Sequence, residues 1–384
     1  MDRITRIRIT NVKSIEDAVF DLAPVTVLVG ENGSGKSTVI EVLSLLAHAP
    51  HRDLFTAYYP IYGGAAALAR NPQEMIGVEV QIEGDGEPIH YKLRIGNDGL
   101  REAILVGGAS WIVREPGEYV MDGKREATTG SSWSMIHRLR GHPDARARRF
   151  VAAFERLEVH VGWDVLASWA GASVPRPVPL RMPQLVQPVD QLHIQGGNLT
   201  TAWHALRNEY GAEHWANTMD LVRIGLGDHV EDVMSRAAGD GYASMSLKLR
   251  GREANIPARG LSDGQLAWLA FVGLVRLPSS GGTLVLDEPE LHLHPQLVAR
   301  VVDLLETHSA QRSVLIATHS DRLLDCLRQP SDSVVVCALD DLQRTVTRRL
   351  DRNALASWMR RYAGFGSIRS AGHEDSVIAS EPTS

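Results

Sequence analysis

The sequence predicts an α/β fold in which a mostly parallel sheet presents a glycine-rich loop and acidic groups at one edge. Three observations predict it. An apolar run, VTVLV at 25–29, leads through a glycine-rich turn into an amphipathic helix. A second, TLVLDEPE at 283–290, ends on adjacent carboxylates, and a third, SVLIATHS at 313–320, ends on a histidine. The last two flank a helix pattern that starts at Pro295, and strand, helix, strand implies parallel neighbours.

The chain has 384 residues, 44% of them hydrophobic, enough to fill a sizeable core. Its two cysteines, Cys326 and Cys337, lie in apolar or helix-like stretches without metal-ligand spacing, which argues against a secreted disulfide scaffold and for a reducing, cytoplasmic setting. No apolar run approaches membrane-spanning length, and the charged N-terminus fits no secretory leader. A net charge of −6 argues against a protein that coats nucleic acid through phosphate neutralisation. A local basic footprint is conceivable at Arg138, Arg140, Arg146, Arg148 and Arg149, with His137 and His142, although such runs are more often solvated helix faces.

Residues 3–10 alternate Ile with charged or Thr positions, the period of a half-buried strand. After the turn, Val39, Ile40, Val42, Leu43, Leu45 and Leu46 fall on helical positions until Pro50. Between 76 and 122, IGVEVQI, HYKLRI and REAILV read as short strands of an inserted antiparallel sheet. Residues 143–157 read as helix, and Pro175, Pro177, Pro179, Pro183 and Pro188 mark an irregular connection. Helix patterns return near 199. The division expected is 1–50 with 260–365 as the core lobe, 51–180 as an inserted arm and 181–262 as a helical connecting lobe. Residues 366–384, rich in Ser, Gly and acidic residues, are expected to be disordered.

GENGSGKS, Gly30 to Ser37, has the spacing of a phosphate-binding loop and sits between strand and helix, as that motif requires. Gly30, Gly33 and Gly35 let the loop amides of Asn32, Ser34 and their neighbours turn toward phosphate, and the helix dipole adds positive potential through Thr38. Lys36 is expected on the β- and γ-phosphates of ATP and the Ser37 hydroxyl on Mg²⁺. Asp287 is expected to hold Mg²⁺ from the end of its strand, and Glu288 to polarise the attacking water. His319 would face the γ-phosphate. His292 and His294 have metal-like spacing but no third ligand nearby, and Asp340 with Asp341 reads as a loop turn.

LSDGQ, Leu261 to Gln265, resembles the ABC signature motif, and with RIRITNVKSI, GGNL, LSDGQLAWLA, LDEPELHLHP and ATHSDRLLD the chain resembles the SMC/RecF/OLD-like branch of AAA-family ATPases with an ABC-type head. The likeness covers residues 3–48 and about 190–365. It implies that Ser262, Gly264 and Gln265 meet the γ-phosphate of a second copy, so that ATP bridges a homodimer of heads. It also implies that His294 and Pro295 contact the opposite head and that Lys13 and Ser14 approach nucleotide. Asp263 stands where transporter subunits carry glycine, Gln184, Gln187 and Gln191 are the candidates for the Gln loop, and there is no long coiled coil or TOPRIM nuclease domain. A nucleotide-gated switch for an effector partner, in genome maintenance or antiviral defence, is the leading expectation. A RecF-like DNA-repair head, a slow ATP sensor and a transporter subunit are the alternatives.

Overall fold

A computed structural model of the chain describes residues 2–54, 64–96, 98–127, 132–165, 178–278 and 281–379. Contacts divide the chain into two compact units: Met1–Val159 with Gly281–Glu288 and Ser309–Ser384, and His160–Ser280 with Pro289–His308.

The first unit holds the core sheet, six strands in the order Leu157–Val161, Thr283–Asp287, Ser313–Thr318, Val25–Gly30, Val334–Leu339 and Thr345–Arg349. Thr283–Asp287, Ser313–Thr318, Val25–Gly30 and Val334–Leu339 run parallel, and Thr345–Arg349 returns antiparallel. Ser313–Thr318 and Val25–Gly30 are buried at every position, as continuous apolar runs in a sheet covered on both faces should be. The expected strand–helix–strand order is therefore the one found, with helix Lys36–His48 following the central strand.

The expected inserted arm is corrected. Ile76–Gly84 pairs along its length with Arg3–Val12, which also pairs with Ile15–Asp21, so the strands between 76 and 127 extend an eight-stranded antiparallel sheet begun at the N-terminus. The physical reason is shared alternation. Ile4, Ile7 and Ile9 on one strand and Ile76, Val78, Val80 and Ile82 on the other are buried in one core cluster with Leu43, Val285 and Leu315 of the parallel sheet region. Helix Ala145–Glu155 packs Phe150 and Phe154 edge-on against Tyr91 of this sheet. Glu102 and Arg114 form a buried ion pair at 2.5 Å, and Glu102 also accepts from Tyr91 Oη and the Met135 amide.

The second unit combines helices Leu199–Asn208, Ala212–Leu226, Asp263–Arg276 and Pro295–His308 with a small antiparallel sheet built on the hairpin Val230–Gly239/Tyr242–Leu249. Trp203 and Trp268 are fully buried, their indoles donating to the Leu269 and Leu221 carbonyls. Gly225 is needed because a Cβ there would lie 2.1 Å from Trp268. The helical connecting lobe expected at 181–262 thus contains a hairpin that short-range apolar spacing did not separate from helix.

The expected disorder after 366 is also corrected for the described residues. Phe365–Ser370 is helical, Phe365, Ile368 and Val377 are buried, and Ile378 bridges to Leu350. Its polar residues are engaged in side-chain contacts, which composition cannot distinguish from solvation. Residues 380–384, and Pro175 and Pro177 of the irregular connection, lie outside the described residues.

Candidate nucleotide site

Gly30, Asn32, Gly33, Ser34, Gly35, Lys36 and Ser37 form the turn between the central strand and its helix. Two glycines have steric reasons. A Cβ on Gly30 would come within 1.9 Å of the Cys337 carbonyl oxygen on the neighbouring strand. At Gly35 the backbone is left-handed, φ 99°, and a Cβ would lie 2.5 Å from Thr345 Oγ1. Thr345 donates to Ser14 Oγ at 2.9 Å, so Ser14 supports the loop from behind while Lys13 pairs with Glu41 on the following helix. The Cys337 thiol, fully buried, is pushed up to about 12. It is inert packing behind the loop.

Lys36 is buried, and its ammonium donates to the Gly30 and Glu31 carbonyls at 2.9 Å each. Burial lowers its pKa, opposed by Asp287 and Glu288. Ser37 and Asn32 are exposed, Ser34 and Thr38 buried. The helix N-terminus and the loop amides together offer positive potential suited to a polyphosphate.

Asp287 ends its strand beside the same loop. Burial first, then the neighbouring Glu288 carboxylate, raise its pKa, while Lys36 opposes them. Glu288 keeps the ladder, its amide donating to the Ala317 carbonyl at 2.8 Å, but its φ is 46°. A left-handed conformation costs a non-glycine residue free energy and is concentrated at functional sites. Glu288 Oε1 comes to 3.8 Å from His319 Nε2. Burial, and secondarily Lys36, lowers the His319 pKa, favouring neutral imidazole. Strand ends from three separate stretches of sequence thus converge on the phosphate loop. Hard oxygen donors at Ser37 and Asp287, one of them disfavoured as a bare anion, fit a divalent cation such as Mg²⁺.

In the second unit, Ser262 caps helix Asp263–Arg276. Its Oγ accepts from the Gln265 amide at 3.2 Å and Gln265 Oε1 accepts from the Ser262 amide at 2.9 Å, a reciprocal capping box. Ser262 is exposed, and a Cβ on Gly264 would sit 3.2 Å from the His292 carbonyl. Sequence reading missed Arg181. It is 5% exposed, and its guanidinium donates to the Val165 and Leu261 carbonyls at 2.7 Å and to Asp263 at 2.6 Å. Asp263 is thereby an anchor for the helix start. Only the spatial fold reveals this, because Arg181 lies 82 residues away. His294 accepts from the Gln296 amide at 3.4 Å, beside Pro295 at the start of the next helix. Gln184 is tied to Pro179, Gly197 and Thr201, whereas Gln187 and Gln191 are exposed.

Most of the basic run is engaged. Arg140 pairs with Glu155, Arg146 with Asp122 and Asp144, and Arg149 with Asp2. Asp340 accepts from the Leu342 and Arg344 amides, closing a turn.

This sheet, with a phosphate loop at its centre and carboxylates and a histidine at the flanking strand ends, has the fold of a P-loop NTPase of ABC type. The family model described as "AAA domain, putative AbiEii toxin, Type IV TA system" matches residues 25–325, and the chain belongs to that family. No curated protein matches the chain. Among solved structures it is similar to an Smc head bound to the C-winged helix domain of ScpA, at 14% identity and TM-score 0.53, covering 91% of this chain and 99% of that one. It is also similar to Smc head domains from Pyrococcus furiosus, described as bound to the C-terminal domain of ScpA, and from Pyrococcus yayanosii. Both are 13% identical with TM-score 0.51, covering 94% and 92% of this chain and 98% of each of those. At such identities the likeness is one of fold. Among the described residues no helix is long and apolar enough to cross a membrane.

Proposed function

We propose that the chain binds and hydrolyses ATP and that two copies close around it. The observation that carries this reading is the convergence of Lys36, Asp287, Glu288 and His319 on one sheet edge, with like carboxylates held together beside a buried ammonium. Lys36 leaves the Gly30 and Glu31 carbonyls for the β- and γ-phosphates, and the loop amides of Asn32 to Thr38 take the rest. Ser37 and Asp287 would hold Mg²⁺, which when bound would offset phosphate charge. Glu288 accepts a proton from water aligned on the γ-phosphate, and His319, kept neutral by burial, contacts the same phosphate and stays next to Glu288 as it reacts.

The second half of the site is the exposed Ser262 tip, with Gly264 and Gln265, supplied by a partner copy. Its capping box fixes the tip, so a phosphate meets a preorganised hydroxyl and amides. ATP then acts as the bridge of a homodimer, and loss of the γ-phosphate releases it. In this reading the dimer gates an effector protein. The family description names a putative toxin and a type IV toxin–antitoxin system, so a role within such a system, as the effector or as the regulator of an effector partner, is the favoured biological role. Direct DNA binding through residues 138–149 has less support, because Arg140, Arg146 and Arg149 are neutralised within the chain.

Glu288→Gln tests the assignment. The expected outcome is a fall in ATP turnover of roughly 10²-fold or more with ATP binding retained, together with ATP-dependent dimers by light scattering. Turnover equal to the parent's overturns the assigned base.

A further inference from the structure

The C-terminal segment brings another cation to this region. Arg369, on helix Phe365–Ser370, donates through Nη1 to Asp321 Oδ1 at 2.6 Å, and its Nε faces Glu374 Oε2 at 3.3 Å. Asp321 opens the short helix Asp321–Asp325 and lies two residues past His319. The seat is tight. Ser370 Oγ donates to Asp321 Oδ2 at 2.6 Å, and the Ser367 amide and hydroxyl donate to Asp325 at 2.8 and 2.6 Å. A Cβ on Gly366 would fall 1.9 Å from the Asp321 carbonyl oxygen, so the backbones approach as closely as glycine allows. Burial sets the lowered pKa of Lys36 and of His319, and the charge of Arg369 adds to it in both cases. Asp321 lies two residues past His319, whose Nε2 is 3.8 Å from Glu288 Oε1, so the Arg369–Asp321 pair sits at the sheet edge that carries the carboxylates.

We propose that Arg369 is a phosphate ligand acting in cis, exchanging Asp321 for the terminal phosphate of ATP and thereby loosening the C-terminal segment from helix Asp321–Asp325. This rests on the ATP-binding reading above. A phosphate offers a guanidinium the same planar two-oxygen recognition as a carboxylate, with more charge. The exchange gives up the ion pair that ties helix Phe365–Ser370 to Asp321, while Glu374 still faces Arg369 and the Ser370 hydroxyl still donates to Asp321. ADP, lacking the terminal phosphate, leaves the Arg369–Asp321 pair closed. Nucleotide state is in this way written into a segment outside the parallel sheet.

The test compares ATP and ADP affinity by calorimetry in the Glu288→Gln background, where ATP persists. Arg369→Ala is expected to weaken ATP roughly 10-fold or more while leaving ADP about unchanged, the loss of one charge-assisted contact, and Arg369→Lys should restore part of it. Asp321→Asn, which removes the competitor and keeps the guanidinium, is expected to raise the ratio of ATP to ADP affinity. Amide exchange in Phe365–Ser376 should rise with ATP and not with ADP. An unchanged affinity ratio in folded Arg369→Ala overturns the proposal. If that variant does not fold, an unchanged or lowered ratio in Asp321→Asn does the same. Lys36→Ala separates the two levels: if it binds ATP as tightly as the parent, the site reading itself fails and this proposal falls with it.

Discussion

Asp287 has a liability that function explains. Its folded-state pKa is raised, by burial first and by Glu288 second. A raised folded pKa means that the folded state holds the proton more tightly than the unfolded one, so this group's stabilising contribution is full below the unfolded pKa and is lost as pH rises through the folded one. At neutral pH the carboxylate therefore costs stability. Asp287→Asn is expected to raise Tm at pH 7 and to abolish Mg²⁺-dependent turnover, with the Tm difference shrinking as pH falls through the raised pKa. Thermal melts across pH check this, and an Asn variant that melts lower than the parent at pH 7 contradicts it. Gly30→Ala is the steric counterpart. Its methyl would meet the Cys337 carbonyl at 1.9 Å, and overpacking of this kind costs about 1–3 kcal/mol, which urea unfolding measures.

Among the elements, the phosphate loop and its flanking strand and helix were the most legible, because spacing, glycine placement and hydrophobic period all pointed the same way over a few adjacent residues. The sheet edge at Asp287 and His319 was legible for the same reason. What escaped is non-local. Arg181 anchors Asp263 from 82 residues away, Thr345 backs Gly35 from a distant strand, and Arg369 docks on Asp321 in a segment whose composition reads as disordered. Pairing of Arg3–Val12 with Ile76–Gly84 likewise joins elements that alternation identifies singly but cannot register against each other. The eight-stranded sheet contains the buried pair Glu102–Arg114. Arg114→Ala leaves Glu102, whose pKa burial already raises, without its cation, and a loss of about 3–5 kcal/mol is expected by denaturant unfolding. Replacing both partners with apolar residues should lose less; an equal or larger loss contradicts the pairing as the cause.

At the scale of the whole molecule, the chain is a member of the AAA-domain family with the fold of a P-loop NTPase. Its two units each carry half of the proposed chemistry: the phosphate loop, carboxylates and histidine in one, the capped Ser262 tip in the other. In the proposed dimer these halves come from different copies around one ATP. Mixing Lys36→Ala with Ser262→Arg tests that assignment most directly, since a mixed pair of copies contains one site with both halves intact and neither pure variant contains any. The expected result is that each variant alone is inactive and that the mixture recovers ATP turnover. Failure of the mixture to recover, with both variants folded and able to pair, or full activity in Ser262→Arg alone, contradicts it.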